Sequence, residues 1–275
     1  MNQSVNRQPL HFVPGQVSKI VNRKSGSIVV VGLGPGDLSL LTPAARQALE
    51  SAEVISGYKT YLRLIEAISP QTPRQGSGMR QEVGRVNQVV DLAKAGRRVA
   101  LISSGDAGVY GMAGLVYEVL RERGESEIDV EVIPGVSALN AAAALLGAPL
   151  MTDFAAISLS DQLTPRDEIL RRIDLAAQAD FILCLYNPKG KRRTEPFDLA
   201  CQILARHRPP QTPVGLVRAA YRPEQAVELI TLAELPAAAV DMVTIVIVGN
   251  SQTAIYNGKL VTPRGYAGKY DLSGD

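Results

Sequence analysis

The sequence predicts an α/β fold of two α/β domains, and three observations support this. Short apolar runs of strand length alternate with helix-compatible segments along the chain. Several of these runs end in glycine-rich turns, as expected where a strand gives way to a helix. The alternation restarts after Pro149. We therefore expect an N-terminal extension (1–26), an N-terminal domain (27–149), a C-terminal domain (150–265) and a C-terminal tail (266–275).

In the first domain, strands are expected where apolar runs end at glycine, proline or small polar residues. Thr42 and Pro43 are typical of the N-cap and the first residue of a helix, and Gly96 is typical of a helix end. An alanine-rich segment before Gly147 also predicts a helix. The expected strands are 27–31, 54–57, 98–102 and 130–133, and the expected helices are 42–52, 83–95, 112–123 and 137–146.

The second domain repeats the pattern. Apolar runs end at Ser160-Asp161, at Tyr186-Asn187-Pro188 and at Gly249-Asn250-Ser251, and such bounded runs predict buried strands. We expect strands to alternate with helices throughout. The expected strands are 154–159, 181–185, 213–217 and 242–248, and the expected helices are 165–177 and 197–206.

Composition excludes several classes of protein. The 275 residues are 46% hydrophobic and 20% charged, as in ordinary globular chains. A net charge of +2 gives no electrostatic reason to expect nucleic-acid binding. No apolar run approaches the roughly 18 residues of a membrane span, so we expect no membrane partner. The polar, basic segment 1–25 lacks the apolar centre of a signal peptide.

The cysteine and histidine content predicts neither a disulfide nor a metal site. Cys184 and Cys201 both lie in apolar patterns, which favours buried thiols and a cytoplasmic location. His11 and His207 are the only histidines and are far apart in the sequence. A zinc site or an iron–sulfur cluster is therefore not expected.

The turn after the strand at 98–102 is the strongest candidate for a ligand site. Ser104-Gly105-Asp106-Ala107-Gly108-Val109-Tyr110-Gly111 places one carboxylate among three glycines. Glycine allows left-handed backbone angles and close approach of a ligand. Because ligands in open α/β sheets bind at the carboxyl ends of strands, we expect this turn to face a ligand.

The turn Gly32-Leu33-Gly34-Pro35-Gly36-Asp37 resembles a dinucleotide fingerprint but departs from it. Asp37 stands where the last glycine of G-x-G-x-x-G is required, and its charge would repel a pyrophosphate. A nicotinamide-dependent oxidoreductase is therefore disfavoured. The turn is either purely structural or a contact for an uncharged or cationic ligand.

Two further motifs have competing interpretations. Ser137 begins like a nucleophile elbow, but Leu139 replaces the required glycine, so Ser137 is better interpreted as a helix N-cap or a ligand contact. The basic segment Lys189-Gly190-Lys191-Arg192-Arg193 is either a solvated loop or a site for carboxylates, which suit arginine's planar fork.

Taken together, these turns resemble the tetrapyrrole (corrin/porphyrin) methylases, which transfer a methyl group from S-adenosylmethionine (SAM). The matching segments are 31–37, 104–113, 134–138 and 244–251, and the resemblance covers about 27–265. It implies a homodimer of two-domain α/β chains, with the active site in the cleft between the domains.

Within this family the chain resembles the branch that methylates C17 of a precorrin and contracts the macrocycle. Leu185-Tyr186-Asn187-Pro188 and the basic residues after it carry this resemblance, although Gly190 and Arg166 depart from the usual serine and tryptophan. The alternatives are a branch that methylates C11 or C20, the counterpart with a cobalt-containing substrate, a ribosomal-RNA methylase, and a regulator that only binds SAM.

The resemblance also implies roles for individual residues. A carboxylate near the donor would favour its positive sulfonium, so Asp106 is placed near SAM. Contraction of the ring requires a general base, for which Asp37 and Asp106 are candidates. Cationic side chains would bind the carboxylates of the tetrapyrrole, and the candidates are Lys189, Arg192, Arg193 and Arg264. The implied SAM contacts are Gly34, Pro35, Gly105, Asp106, Ala107, Gly108, Val109, Tyr110, Ser137, Ala138, Tyr186, Asn187, Arg218, Ala219, Thr244 and Ile245.

Overall fold

The computed structural model describes residues 26–78, 80–190 and 192–273. The predicted N-terminal extension lies outside this part of the chain, apart from its last residue. The strands are β1 (Ser27–Gly32), β2 (Val54–Tyr58), β3 (Arg74–Ser77), β4 (Arg98–Ser103), β5 (Asp129–Ile133), β6 (Gly147–Ala148), β7 (Phe154–Ser158), β8 (Ile182–Tyr186), β9 (Pro213–Arg218), β10 (Ala226–Thr231), β11 (Thr244–Val248), β12 (Ala254–Tyr256) and β13 (Lys259–Val261).

Seven α-helices connect these strands in the described residues. Thr42 caps the first of them by accepting a hydrogen bond from the Ala45 N–H, and Pro43 follows it, as expected for this pair. The helices are α1 (Pro43–Glu50), α2 (Lys59–Leu64), α3 (Glu82–Lys94), α4 (Ala113–Arg123), α5 (Ala138–Leu146), α6 (Arg166–Gln178) and α7 (Glu195–His207).

The first sheet is parallel and has the strand order β3-β2-β4-β1-β5. Alternate residues of its central strands enter two apolar clusters. Leu101 packs among α3 and α4 residues on one face, and Ile102 packs among α1 and α2 residues on the other. Burial on both faces explains why β1 and β4 are continuous apolar runs. Because the strands are parallel, their carboxyl ends lie along one edge of the sheet.

The second sheet is mixed and has the order β10-β9-β11-β8-β7. Only β7 and β8 run parallel, while β8, β11, β9 and β10 pair antiparallel. The expected alternation of strand and helix throughout the second domain is therefore wrong after α7. The segment 219–225 that joins β9 to β10 is too short for a crossover helix, so these strands form a hairpin.

Helix α5 belongs with the second sheet. Its Leu139, Ala142 and Leu146 side chains pack in one cluster with Cys184 and Ile247 of that sheet. The chain therefore changes sheets in the turn before α5, and not after Pro149 where the sequence suggests a break. In a small third sheet, β12-β13-β6, the segment after α5 pairs with the hairpin at 254–261.

Most expected elements are found, with boundaries shifted by a few residues. The sequence did not predict α2, β3, β6, β10, β12 or β13, which are short or largely exposed. The two cysteines are free and buried, as expected. No helix in the described residues is long and apolar enough to cross a membrane.

Candidate active site

Three glycine turns meet at the carboxyl ends of β1, β4 and β5. Gly34 and Gly105 form an isolated two-way bridge, with N–O distances of 3.0 and 2.8 Å. Both have positive φ angles, of +76° and +66°, which favour glycine. A Cβ on Gly135 would lie 2.3 Å from the Gly105 carbonyl oxygen. The turns therefore pack backbone against backbone, and glycine is required for that contact.

Asp106 holds these turns together. Its Oδ1 accepts hydrogen bonds from the N–H groups of Gly108 (2.8 Å) and Val109 (3.2 Å), and its Oδ2 accepts one from Gly135 (3.0 Å). The carboxylate thus braces its own turn and joins it to the turn after β5. Asp106 still lines the cleft described below, so its negative charge lies at the predicted ligand site.

Tyr110 reaches from this turn to the second sheet. Its hydroxyl donates to the Ala156 carbonyl at 2.9 Å and accepts from the Ser158 N–H at 3.1 Å. Both groups lie on the unpaired edge of β7. The residue has a φ of +51°, a conformation rarely adopted by a bulky side chain. Burial raises the pKa of Tyr110, with the Ser158 N–H acting against it, so the hydroxyl stays protonated at neutral pH.

The carboxyl end of β8 forms the opposite wall. The Tyr186 ring lies 5.0 Å from the Tyr110 ring at an angle of 58°, and its hydroxyl oxygen accepts from the Leu139 N–H in the first turn of α5. Asn187, with a φ of +52°, donates through its side-chain amide to Ser158 Oγ. Positive φ values at non-glycine residues on two walls are backbone strain of the kind that clusters at functional sites.

Arg222 crosses the cleft in the other direction. From the loop after β9, its Nε donates to the Pro35 carbonyl (2.7 Å) and its Nη2 donates to Ser104 Oγ (3.0 Å). Its side chain also packs on Gly36, where a Cβ would lie 2.6 Å from Arg222 Cγ. The loop of the second sheet is thereby fixed to two turns of the first.

These residues enclose one cleft between the two sheets. Eleven of the sixteen residues expected to contact SAM line it: Pro35, Gly105, Asp106, Val109, Tyr110, Ala138, Tyr186, Asn187, Ala219, Thr244 and Ile245. The lining residues outside that set are Tyr61, Ser104, Val217, Ala220, Arg222, Met242 and Val243.

The other expected SAM contacts lie beside the cleft and not in its wall. Gly34 bridges to Gly105, Ala107 is fully buried in the core, and Gly108 donates to Asp106. Ser137 caps α5 by accepting from the Asn140 N–H. Arg218 pairs through Nε with Asp241 Oδ2 at 2.9 Å, so its guanidinium is directed at that carboxylate.

Asp37 is exposed and does not line the cleft. Its side chain caps a short 3₁₀ turn by accepting from the Ser39 N–H at 2.8 Å. This hydrogen bond lowers the pKa of Asp37, which makes the group a weaker base. The geometry therefore gives Asp37 a capping role and disfavours its expected role as a general base.

Lys189 and Arg193, two of the residues expected to bind the carboxylates of the substrate, do not line the cleft. Lys189 Nζ lies 3.6 Å from Asp198 Oδ1 and 4.6 Å from the Phe197 ring centre. Arg193 donates to the Leu159 and Asn187 carbonyls. Both side chains thus interact with groups of their own domain. Arg192 and Arg264 are exposed, and neither lines the cleft.

Most of the cleft residues that the sequence did not predict lie outside the motifs, and Ser104 is the exception. Met242 and Val243 precede β11, Tyr61 lies in α2, and Arg222 follows a turn with positive φ at two residues, Ala219 and Tyr221. Only the clustering of polar and aromatic residues after β9 could have indicated this loop. Among the described lining residues there are one carboxylate, one guanidinium and three tyrosines, with no nucleophile–base pair.

Comparison with known proteins agrees with this fold. Residues 27–236 match the model of the tetrapyrrole (corrin/porphyrin) methylases, and the chain belongs to this family. It is also similar to the crystal structure of the methyltransferase CobJ, with a TM-score of 0.81 and 37% identity over 87% of this chain and all of that one. Uroporphyrin-III C-methyl transferase from Thermus thermophilus, solved with S-adenosylhomocysteine (SAH), is 25% identical over 82% of this chain and 97% of that one, with a TM-score of 0.65.

Three curated relatives are all named as methyltransferases of cobalt-factor III or precorrin-3B. The cobalt-factor III methyltransferase of Priestia megaterium is 49% identical over 251 residues, which are 90% of this chain and 46% of that protein. The probable cobalt-factor III C(17)-methyltransferase of Salmonella typhimurium is 46% identical, over 86% and 98% of the two chains. The precorrin-3B C(17)-methyltransferase of Sinorhizobium sp is 39% identical, over 89% and 98%. This chain thus spans about half of the first relative and nearly all of the other two.

Proposed function

We propose that this chain transfers a methyl group from SAM to C17 of a corrin precursor, with contraction of the macrocycle, in cobalamin biosynthesis. The observation that carries the proposal is the cleft between the two sheets, which is built from the turns that resemble the family. Similarity over 98% of the length of two relatives named for C17 methylation supports the position on the ring.

The residues present fit a sulfonium donor. Gly105, Asp106 and Val109 form one wall and present backbone and one carboxylate to the cleft, and a negative charge favours a cationic donor. Tyr186, Thr244 and other residues of the second sheet form the opposite wall. Bound SAM would supply the methyl group, and the walls would hold donor and acceptor in line, which can provide about 7–11 kcal/mol of the barrier.

The rim of the cleft suits the apolar face of a macrocycle. Val109, Tyr110, Met242 and Val243 line it and are 40%, 54%, 49% and 44% exposed. Exposed apolar groups gathered at one opening are typical of a ligand site. We infer that the tetrapyrrole packs against these four side chains, with its C17 directed toward the donor.

The two candidate bases differ in their surroundings. Asp37 lies outside the cleft lining, whereas Asp106 lines it but accepts hydrogen bonds from three N–H groups. We propose that Asp106 acts by its charge and by holding the turns. The general base that removes a proton from the substrate would then be another group or a water molecule.

The cobalt-containing substrate is the first one to test. The relatives named for cobalt-factor III are 49% and 46% identical, whereas the relative named for precorrin-3B is 39% identical. The experiment incubates the purified chain with SAM and either substrate, and mass spectrometry and absorbance follow the products. A product heavier by one methyl at C17, with a changed ring spectrum, supports the proposal. Methylation at C11 or C20, or turnover of neither substrate by a chain that binds SAH, would reject C17 methylation.

We further propose that the chain acts as a homodimer in the cytoplasm. The family resemblance supports a dimer, and two buried free thiols suit a reducing compartment. Analytical ultracentrifugation should give twice the 29.4 kDa mass of one chain, and a single-chain mass at micromolar concentration would contradict the dimer.

A further inference from the structure

The cleft contains one side chain with an unmatched positive charge. Among the described lining residues, Arg222 is the only lysine or arginine. Nearby arginines are neutralised by partners of their own, because Arg218 pairs with Asp241 at 2.9 Å and Arg193 lies 3.8 Å from Asp161. Arg222 forms no ion pair in the described part of the chain. A half-buried guanidinium facing a cleft without a counter-ion is costly unless a ligand supplies one.

The orientation of Arg222 leaves it able to bind such a ligand. A guanidinium has five N–H donors in a planar fork. The N–H of Nε donates to the Pro35 carbonyl, and one N–H of Nη2 donates to Ser104 Oγ. Three donors therefore have no partner among the described residues, including both donors on Nη1. The two existing bonds fix the plane of the fork in advance, so little further ordering is needed to bind an anion.

We propose that Arg222 binds a carboxylate group of a ligand in the cleft. This inference rests on the proposed methyl transfer, because both ligands of that reaction carry carboxylates. One source is the amino-acid part of the methyl donor, and the other is a side chain of the tetrapyrrole. Arginine pairs with either through two parallel charge-assisted hydrogen bonds. Lys189 and Arg193, by contrast, interact with groups of their own domain and do not line the cleft.

Calorimetry with two probes separates the two sources. SAH has the amino-acid carboxylate, and 5′-methylthioadenosine lacks it. If Arg222 binds the donor, Arg222→Gln weakens SAH binding about 10-fold or more and leaves 5′-methylthioadenosine binding unchanged. If Arg222 binds the acceptor, both affinities stay unchanged and the KM for the tetrapyrrole rises about 10-fold or more at a similar kcat.

Three further variants separate carboxylate binding from a general loss of charge, of domain contact or of folding. Arg121→Gln removes the same charge from an exposed position on α4, where the side chain is 75% exposed, and should alter neither affinity. Ser104→Ala removes one anchor of Arg222 but keeps its charge, so it should retain the wild-type ratio of the two affinities. Arg222→Lys keeps a point charge without the fork, and it serves as the test if Arg222→Gln does not fold, with an intermediate loss expected.

Two results would overturn the inference. Equal weakening of both probes by Arg222→Gln and by Ser104→Ala would mean that Arg222 only fastens the two domains. No change in either affinity or in KM would mean that no ligand carboxylate binds there. A wild-type chain that binds neither SAH nor 5′-methylthioadenosine would instead refute the proposed function, so the two failures are distinguishable.

Discussion

The position of Asp106 in the cleft could be predicted from the sequence, but its hydrogen bonds to two turns could not. Its position among glycines after a strand indicates a ligand turn, and the residue does line the cleft. The three backbone N–H groups that it binds come from two different turns, and the Gly135 contact joins positions 29 residues apart. Spacing within one motif carries no information about such a contact.

Replacing Asp106 with asparagine tests this bracing role. The amide has only one acceptor oxygen, so its NH₂ group must face a backbone N–H of Gly135 or of the 108–109 turn. An unsatisfied polar pair of this kind costs about 1–3 kcal/mol. We expect a lower melting temperature and weaker SAH binding, measured by calorimetry on the same samples. Unchanged affinity and stability would show that the carboxylate neither braces the turns nor serves the ligand.

Tyr110 makes the second test at the level of single residues. Tyr110→Phe removes only the hydroxyl that bonds Ala156 and Ser158. We expect the free energy of unfolding to fall by about 1 kcal/mol, and kcat to fall because the two walls of the cleft are less well aligned. Urea titration and steady-state rates measure both effects. Tyr117→Phe, at a 52% exposed position on α4, is the control, and equal losses in the two variants would exclude a specific role for the Tyr110 hydroxyl.

At the level of elements, prediction succeeded where a strand, a turn and a helix follow one another. Buried strands such as β1 and β4 are continuous apolar runs, and their turns carry glycine where backbone meets backbone. It failed for β10, whose first three residues are exposed, and for α2, which has a single buried residue, Leu62. Such elements are held by neighbours distant in sequence, so their own periodicity is too weak to reveal them.

The packed glycine turns give a test with a matched control. A Cβ at Gly135 would lie 2.3 Å from the Gly105 carbonyl and 2.7 Å from the Gly32 carbonyl carbon, so Gly135→Ala must push the turns apart. We expect loss of SAH binding together with reduced stability. Gly114→Ala adds the same methyl group to α4, where nothing lies within 4 Å, and should be neutral or stabilise by up to about 1 kcal/mol. Retained SAH affinity in Gly135→Ala would show that close packing of the turns is not needed.

The two cysteines test the core around β8 and α7. Burial raises the pKa of Cys184 and of Cys201 to about 12, and the thiolate is the reactive form. At pH 8 both thiols should therefore react with Ellman's reagent only as fast as the chain unfolds. In denaturant, both thiols of the chain should react with the reagent at once. Rapid labelling of either cysteine in the native chain would contradict this packing.

At the scale of the whole molecule, two reciprocal contacts hold the sheets together. Tyr110 extends from the first sheet to the edge of β7, and Arg222 extends from the second sheet to Pro35 and Ser104. Helix α5 follows a turn of the first sheet in sequence and packs on the second. The walls of the cleft therefore come from both sheets and the segments attached to them. Sequence motifs could locate its walls but not these crossings, because each crossing joins residues 46 or more positions apart.

This arrangement predicts that a ligand of the cleft stabilises both halves together. Because SAH would contact both walls, it binds only when both are folded, and unfolding either sheet releases it. At an SAH concentration 100 times its Kd, binding adds about 2.7 kcal/mol, which should raise the melting temperature by about 5–10 °C for a chain of this size. Calorimetry should show a single transition that moves as a whole, and NAD at the same concentration should leave it in place. Two transitions, of which SAH shifts only one, would place the ligand on one sheet and contradict a cleft formed by both.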